Sequence, residues 1–170
     1  MSKTMVIMRG LPGSGKSSLL KKYKVLDFVL SMDTIRLMLS ALKKDETGAY
    51  QIDQSYNAQV AKFFNIMLKT RLENGSFTIL DNTNLHHLQS LKNKADAFGY
   101  KMVIIDFTSL PVETVKTRNS QRISEYRRVP VDVIDNMEKK ISDIPEGVEV
   151  ILPDDTQKLR KLFNKANMLD

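Results

Sequence analysis

The residues best suited to do chemistry lie near the start of the chain. Gly10-Leu-Pro-Gly-Ser-Gly15-Lys16-Ser17 matches the phosphate-binding spacing G-x-x-x-x-G-K-[ST] at every position. Glycines at 10, 13 and 15 free the backbone to turn successive N–H groups toward an anion. A helix N-terminus behind the loop would add unpaired donors and partial positive charge. Gly13, Ser14, Gly15 and Ser18 are then expected to surround the phosphates. Lys16 would reach the β- and γ-phosphates, and the Ser17 hydroxyl would ligate Mg²⁺. The alternative is a glycine-rich turn with a chance lysine. The setting favours the phosphate site: residues 5–8 are an apolar strand-like run and residues 18–23 have helical character. Binding of a nucleoside triphosphate is predicted.

Triphosphate binding alone does not name a reaction. Transfer to a hydroxyl needs a carboxylate to take the acceptor proton, and cations to neutralise charge on the moving group. Asp33 ends the second strand-like run, and Arg36 stands three residues on, so both share one helical face. Asp33 is the candidate base, and Arg36 could hold an anionic group of the acceptor; a simple helix cap is the other role open to Asp33. Asp81-Asn-Thr-Asn84 is polar for the end of a buried strand. There an Asp can bind Mg²⁺ directly or through water, or the four residues can satisfy a turn. Arg118 and Arg122, four apart, are expected on one helical face, with Arg127 and Arg128 following. Guanidinium forks hold phosphate oxygens bidentately, so residues 118–130 read as an arginine-bearing lid. His86 and His87 read as a helix start rather than a site.

These residues need elements to bring them together. Strand-like runs at 5–8, 25–30, 77–80, 102–107 and 148–152 alternate with helical patterns at 34–42, 52–73, 87–98, 111–122, 130–144 and 156–167. Residues 43–50 read as a polar surface loop. Near-continuous apolar strands alternating with helices predict an α/β fold: a parallel sheet of about five strands covered on both faces. Ligands of such sheets gather outside the carboxyl ends of the strands, where the phosphate loop, Asp33 and Asp81 all fall.

Composition sets the outer bounds. At 170 residues with 42% apolar and 27% charged residues, one globular domain spanning 1–170 is expected. No apolar run approaches a membrane span, and no secretory leader is read at the N-terminus. Zero cysteines leave no disulfide or thiolate metal site, which points to a reducing, cytoplasmic setting. The net charge of +6 suits an anionic partner. Part of it lies on the last helix, at Lys158, Arg160, Lys161 and Lys165, where a solvated face is the simpler account.

Four blocks in order resemble the polynucleotide 5′-hydroxyl kinases of phage and bacterial nucleic-acid repair: residues 10–17, Ser31-Met-Asp-Thr-Ile-Arg36, Asp81-Asn-Thr-Asn84 and Arg118-Asn-Ser-Gln-Arg122. The resemblance extends through Val129-Pro-Val-Asp-Val-Ile134 and implies a P-loop NTPase fold of the adenylate-kinase type with a helical lid. It implies that Lys16 and Ser17 handle ATP and Mg²⁺ and that Asp33 is the base on a 5′-hydroxyl of RNA or DNA. Arg36 would grip the phosphate 3′ to the terminal nucleoside. Arg118 and Arg122 would contact the donor, and Asp81, Thr83 and Asn84 match acceptor-side positions. Many members fuse this unit to a phosphatase or a ligase, for which 170 residues leave no room. A free-standing kinase, or one with separate ligase or phosphatase partner proteins, is implied. More loosely, the chain is similar to metazoan ATP-binding domains that share the first and third blocks. A small-metabolite kinase and a non-catalytic ATP-binding module remain as alternatives.

Overall fold

The structure, a computed structural model, describes residues 3–122 and 125–167. Strand β1 (Thr4–Arg9) is buried along its whole length because it serves two cores at once. Alternate residues of a strand face opposite sides. Met5 and Ile7 pack beneath α2 (Met32–Leu39), α3 (Asn57–Glu73) and α4 (Leu88–Ala97), against Ile35, Val60, Phe64, Leu68 and Leu88. Val6 and Met8 pack on the other side against Leu20 of α1 (Lys16–Lys22) and Leu159 and Phe163 of α7 (Thr156–Asn167). Each fully buried aliphatic or aromatic side chain stabilises the fold by about 1.5–3 kcal/mol. Covering both faces is what makes an all-parallel sheet viable.

The remaining strands of the sheet are β2 (Val29–Leu30), β5 (Thr78–Asp81), β6 (Lys101–Asp106) and β7 (Glu149–Ile151), in the parallel order β2-β5-β1-β6-β7. This is the expected α/β class, a kinase-like P-loop fold. Register aligns the strand ends: Met8 lies opposite Asp81, Arg9 opposite Asp106, and Leu30 opposite Leu80. The loops beyond these ends therefore open on one edge of the sheet. A third, small cluster of Leu11, Leu85, Val115 and Ile134 seats α5 (Val112–Ser120) and α6 (Val131–Glu138) against the phosphate loop.

Four elements differ from their sequence reading. The strand expected over 25–30 is a 3₁₀ turn at Leu26–Phe28 and only two paired residues, on the sheet edge. Arg71 of α3 donates to the carbonyls of Phe28 (2.7 Å) and Val29 (3.3 Å) there, supplying donors to backbone acceptors at the sheet edge. The loop expected over 43–50 closes instead as an antiparallel hairpin, β3 (Lys43–Lys44) with β4 (Tyr50–Gln51). Its turn forms because Asp45 Oδ1 accepts from the backbone N–H of Thr47 and of Ala49, and Gly48 supplies φ +84°. On α3 the buried stripe is narrower than its apolar pattern, leaving Phe63 and Met67 exposed. Helix α6 stops at Glu138 rather than near 144, where Ser142 turns back to bond the Leu85 carbonyl. Among the described residues no helix is long and apolar enough to cross a membrane.

Candidate active site

Strand β1 delivers the phosphate loop directly into the start of α1. Gly15, with φ +103°, is the cap of that helix, and Gly13 has φ +93°, a conformation open to glycine. Gly13 also has no room for a side chain: a Cβ would stand 2.7 Å from the Val115 carbonyl oxygen. The Gly10 N–H donates to the Thr83 carbonyl at 3.0 Å, tying the loop to the segment after β5. Ser14 and Lys16 are both buried. Lys16 Nζ donates to the carbonyls of Gly10 (2.7 Å) and Leu11 (2.9 Å), so the ammonium lies inside the loop's curl. Burial pushes it down from 10.5 to about 8; Arg122 pushes the same way, while Asp81 and Asp33 oppose.

Ser17 Oγ donates to Asp81 Oδ2 at 2.7 Å, joining α1 to the end of β5. Burial raises the Asp81 carboxyl above the usual range, against the pull of the Ser17 hydrogen bond and of Lys16. The other residues of this segment scaffold the crevice. Asn82 Oδ1 accepts the Met32 N–H at 3.0 Å and so anchors the start of α2. Asn84, at φ +48°, donates through Nδ2 to the carbonyls of Met8 (2.8 Å) and Leu80 (3.2 Å), lacing β1 to β5. The turn reading of this stretch therefore describes Asn82, Thr83 and Asn84, while Asp81 faces Ser17.

Asp33 sits in the first turn of α2 with its side chain 63% exposed. The helix cap is Ser31, so Asp33 is not the cap that its residue type allowed. Arg36 shares the helical face of Asp33 as their spacing predicted, and its Nη1 donates to Asp33 Oδ1 at 2.7 Å. Arg36 also donates through Nε (3.0 Å) and Nη2 (2.8 Å) to Oδ1 of Asn57, the first residue of α3.

The arginines separate into two kinds. Arg118 and Arg122 do not share one helical face, because α5 ends at Ser120 and Arg122 lies beyond its cap. Arg118 is exposed on the helix. Arg122 is half-buried, and burial lowers its guanidinium below the ordinary range, aided by Arg127 and opposed by Asp33. It donates to the Arg127 carbonyl, and its own carbonyl accepts from Nη2 of Arg128 at 2.9 Å. A 3₁₀ turn, Glu125–Arg127, comes next; Ile123 and Ser124, inside the expected lid, lie outside the described residues. Buried Asn119 clamps the base of this segment, donating to the Val129 carbonyl (2.8 Å) and accepting its N–H (3.1 Å). His87 begins α4 in the left-handed region, and the two histidine rings meet edge to face at 4.4 Å.

Charges from four segments thus sense one another: Lys16 feels Asp81, Arg122 and Asp33, while Asp81 feels Arg127. This can bind a polyanion and place a carboxylate beside it. Sequence reasoning missed Asn57, Asn119, and the Arg9–Asp106 ion pair (2.9 Å) that braces the loop's first residue across β1 and β6. Asn119 carried a signal, a buried-type α5 position inside Arg-Asn-Ser-Gln-Arg; Asn57 carried none. Among the described residues no cluster of three or more His, Cys, Asp or Glu could hold a metal.

A family model described as an AAA domain matches residues 5–144. A search of curated protein sequences finds no match. Among solved structures, the chain is similar to one from the Pnkp1/Rnl/Hen1 RNA repair complex (22% identity, TM-score 0.64), covering 82% of this chain and 44% of that one. It is also similar to a sugar kinase from Janibacter sp. HTCC2649 (16%, 0.57), covering 98% and 93%. A third likeness is to the AvrRxo1-ORF1:-ORF2 structure with ATP (21%, 0.60), covering 82% and 47%. The chain spans less than half the length of the first and third of these.

Proposed function

The chain belongs to the AAA domain family, and within it we propose an ATP-dependent kinase that phosphorylates the 5′-hydroxyl end of RNA or DNA. Structures of similar fold include both an RNA repair chain and a sugar kinase, so the choice of acceptor rests on this chain's own residues. The observation that carries it is the Asp33–Arg36 pair at 2.7 Å, whose exposed carboxylate lies within the field of Lys16 and Arg122. A carboxylate there can take a hydroxyl proton. The arginine next to it suits an acceptor that carries an anion close to that hydroxyl, as every nucleotide chain does.

In the proposed reaction the 5′-oxygen attacks the γ-phosphorus in line as its proton passes to Asp33. The O–P bond forms while the bond to the β–γ bridging oxygen breaks and ADP leaves. Lys16 and the backbone of Gly13, Ser14, Gly15, Ser17 and Ser18 hold the donor phosphates. Arg122, already partly desolvated, stabilises charge on the transferring group, with Arg118 reaching the donor from outside. The Ser17 hydroxyl and Asp81 carboxylate, 2.7 Å apart, are a hard-oxygen pair of the kind Mg²⁺ takes together with phosphate oxygens. When bound, Mg²⁺ would neutralise β,γ-phosphate charge. Thr83 and Asn84 shape the acceptor side through the backbone they hold. Ligase or phosphatase proteins are the partners this activity would work with.

Incubation with γ-labelled ATP and 5′-hydroxyl oligonucleotides, RNA and DNA in parallel, tests the proposal. Label is expected on the 5′ end. ATP binding with no labelled oligonucleotide, but with a labelled sugar or nucleoside, would give the metabolite kinase instead; no transfer to any acceptor would give the non-catalytic module.

A further inference from the structure

We propose that Asn57 is a positioning residue that aims Arg36 at an acceptor oxyanion and keeps Asp33 available as the base. The inference rests on the roles given above to Asp33 and Arg36. Arginine has five N–H donors. Three are engaged here: Nη1 to Asp33 Oδ1 at 2.7 Å, and Nε and Nη2 to the single Oδ1 of Asn57 at 3.0 and 2.8 Å. Two remain, one on each terminal nitrogen. Each can donate a charge-assisted hydrogen bond to an acceptor oxyanion.

Asn57 also blocks a competing arrangement. The Nε–Nη2 edge is the other fork of an arginine, and with no acceptor on it that edge can turn onto Asp33 and hold both carboxylate oxygens. With Asn57 on the edge, Arg36 touches Asp33 through Oδ1 alone. The cap of α3 is Tyr56, which makes no side-chain cap hydrogen bond, and the Asn57 side chain turns to Arg36 instead. It is not buried packing, since Asn57 is exposed while Arg36 is only 14% exposed. The role that the geometry assigns to its side chain is the contact with Arg36, which spans α2 to α3.

The test compares wild type, Asn57→Ala, Asn57→Asp, Arg36→Ala and Arg36→Ala/Asn57→Ala with a 5′-hydroxyl dinucleotide as acceptor. Asn57→Ala is expected to lower kcat/KM for the acceptor about 10- to 100-fold with the KM for ATP unchanged, the size of a lost hydrogen bond to a charged group. Asn57→Asp, whose carboxylate oxygen can accept both N–H groups, should recover most of the loss. The double variant should be no worse than Arg36→Ala alone, since Asn57 acts through Arg36. Losses that add, that Asp does not rescue, or that extend to the KM for ATP would mark a merely structural residue and overturn the inference, as would wild-type kinetics in Asn57→Ala. If wild type ignores the dinucleotide but phosphorylates a phosphate-bearing metabolite with this same Asn57 dependence, the inference stands and the nucleic-acid reading falls. If no anionic acceptor is phosphorylated, both fall.

Discussion

The two sides of the crevice are built on opposite principles. On the phosphate-loop side Lys16 is 8% exposed, its ammonium is held by loop carbonyls, and Gly13 has no space even for a methyl group. On the α2–α3 side Asp33 is 63% exposed, Arg36 is steered by a surface asparagine, and the β3–β4 hairpin forms a separate two-stranded sheet. A preorganised anion cradle loses nothing to reorganisation when phosphate charge shifts. An open face leaves room for an acceptor larger than the crevice, at the cost of ordering that acceptor on binding. The donor side thus binds by shape already made, and the acceptor side by groups aimed outward.

If that contrast holds, Asp33→Asn should remove transfer and nothing else. It is expected to lower the single-turnover rate about 10²- to 10⁴-fold, the usual worth of a positioned base, with calorimetric ATP affinity unchanged. Weakened ATP binding would place Asp33 on the donor side. Lys16→Ala should do the converse, losing about 10²- to 10³-fold in transfer together with ATP affinity, while oligonucleotide affinity measured by anisotropy persists.

Two glycines test the contrast through folding stability. Gly13 and Gly48 have similar positive φ, +93° and +84°, but a Cβ at Gly48 meets nothing within 4 Å. Gly48→Ala should therefore cost only the left-handed backbone penalty of about 1–2 kcal/mol. Gly13→Ala should cost about 1–3 kcal/mol more for the clash with Val115. Equal shifts in denaturant midpoint would show a phosphate loop that yields as easily as the hairpin.

The smallest effect is in pH. Buried Lys16 is protonated only below about 8, whereas the unfolded chain keeps that proton to about 10.5. In that window the unfolded state binds more protons, so this residue makes stability rise with pH. Binding of ATP runs the other way, because a neutral amine offers no charge to phosphate. The apparent Kd should grow about tenfold per pH unit above 8, and the slope should vanish in Lys16→Met. A flat wild-type profile would mean that Lys16 stays charged in its loop.

Local patterns made much of this readable in advance. The five apolar runs became the five strands of the sheet, and the glycine spacing of residues 10–17 located the strand-to-helix turn. The shared face of Asp33 and Arg36 came from helical periodicity alone. Where the reading failed, either a distant partner or an unrecognised turn had intervened. Residues 25–28 left the sheet at its edge, where Arg71 from another element satisfies the backbone. Arg122 left the helix it was expected to share with Arg118, and its half-buried setting comes from the turn just beyond it.

Chemistry bound to one stretch of chain, such as the phosphate cradle, is written in residue type and spacing because neighbours in sequence are obliged to be neighbours in space. Pairings across elements carry no such obligation. Ser17 meets Asp81, Asn119 meets Val129, and Asn57 meets Arg36 because parallel register and helix packing bring them within hydrogen-bond reach. No periodicity encodes those distances, so the donor cradle was legible from the chain and the aim of the acceptor side emerged with the fold.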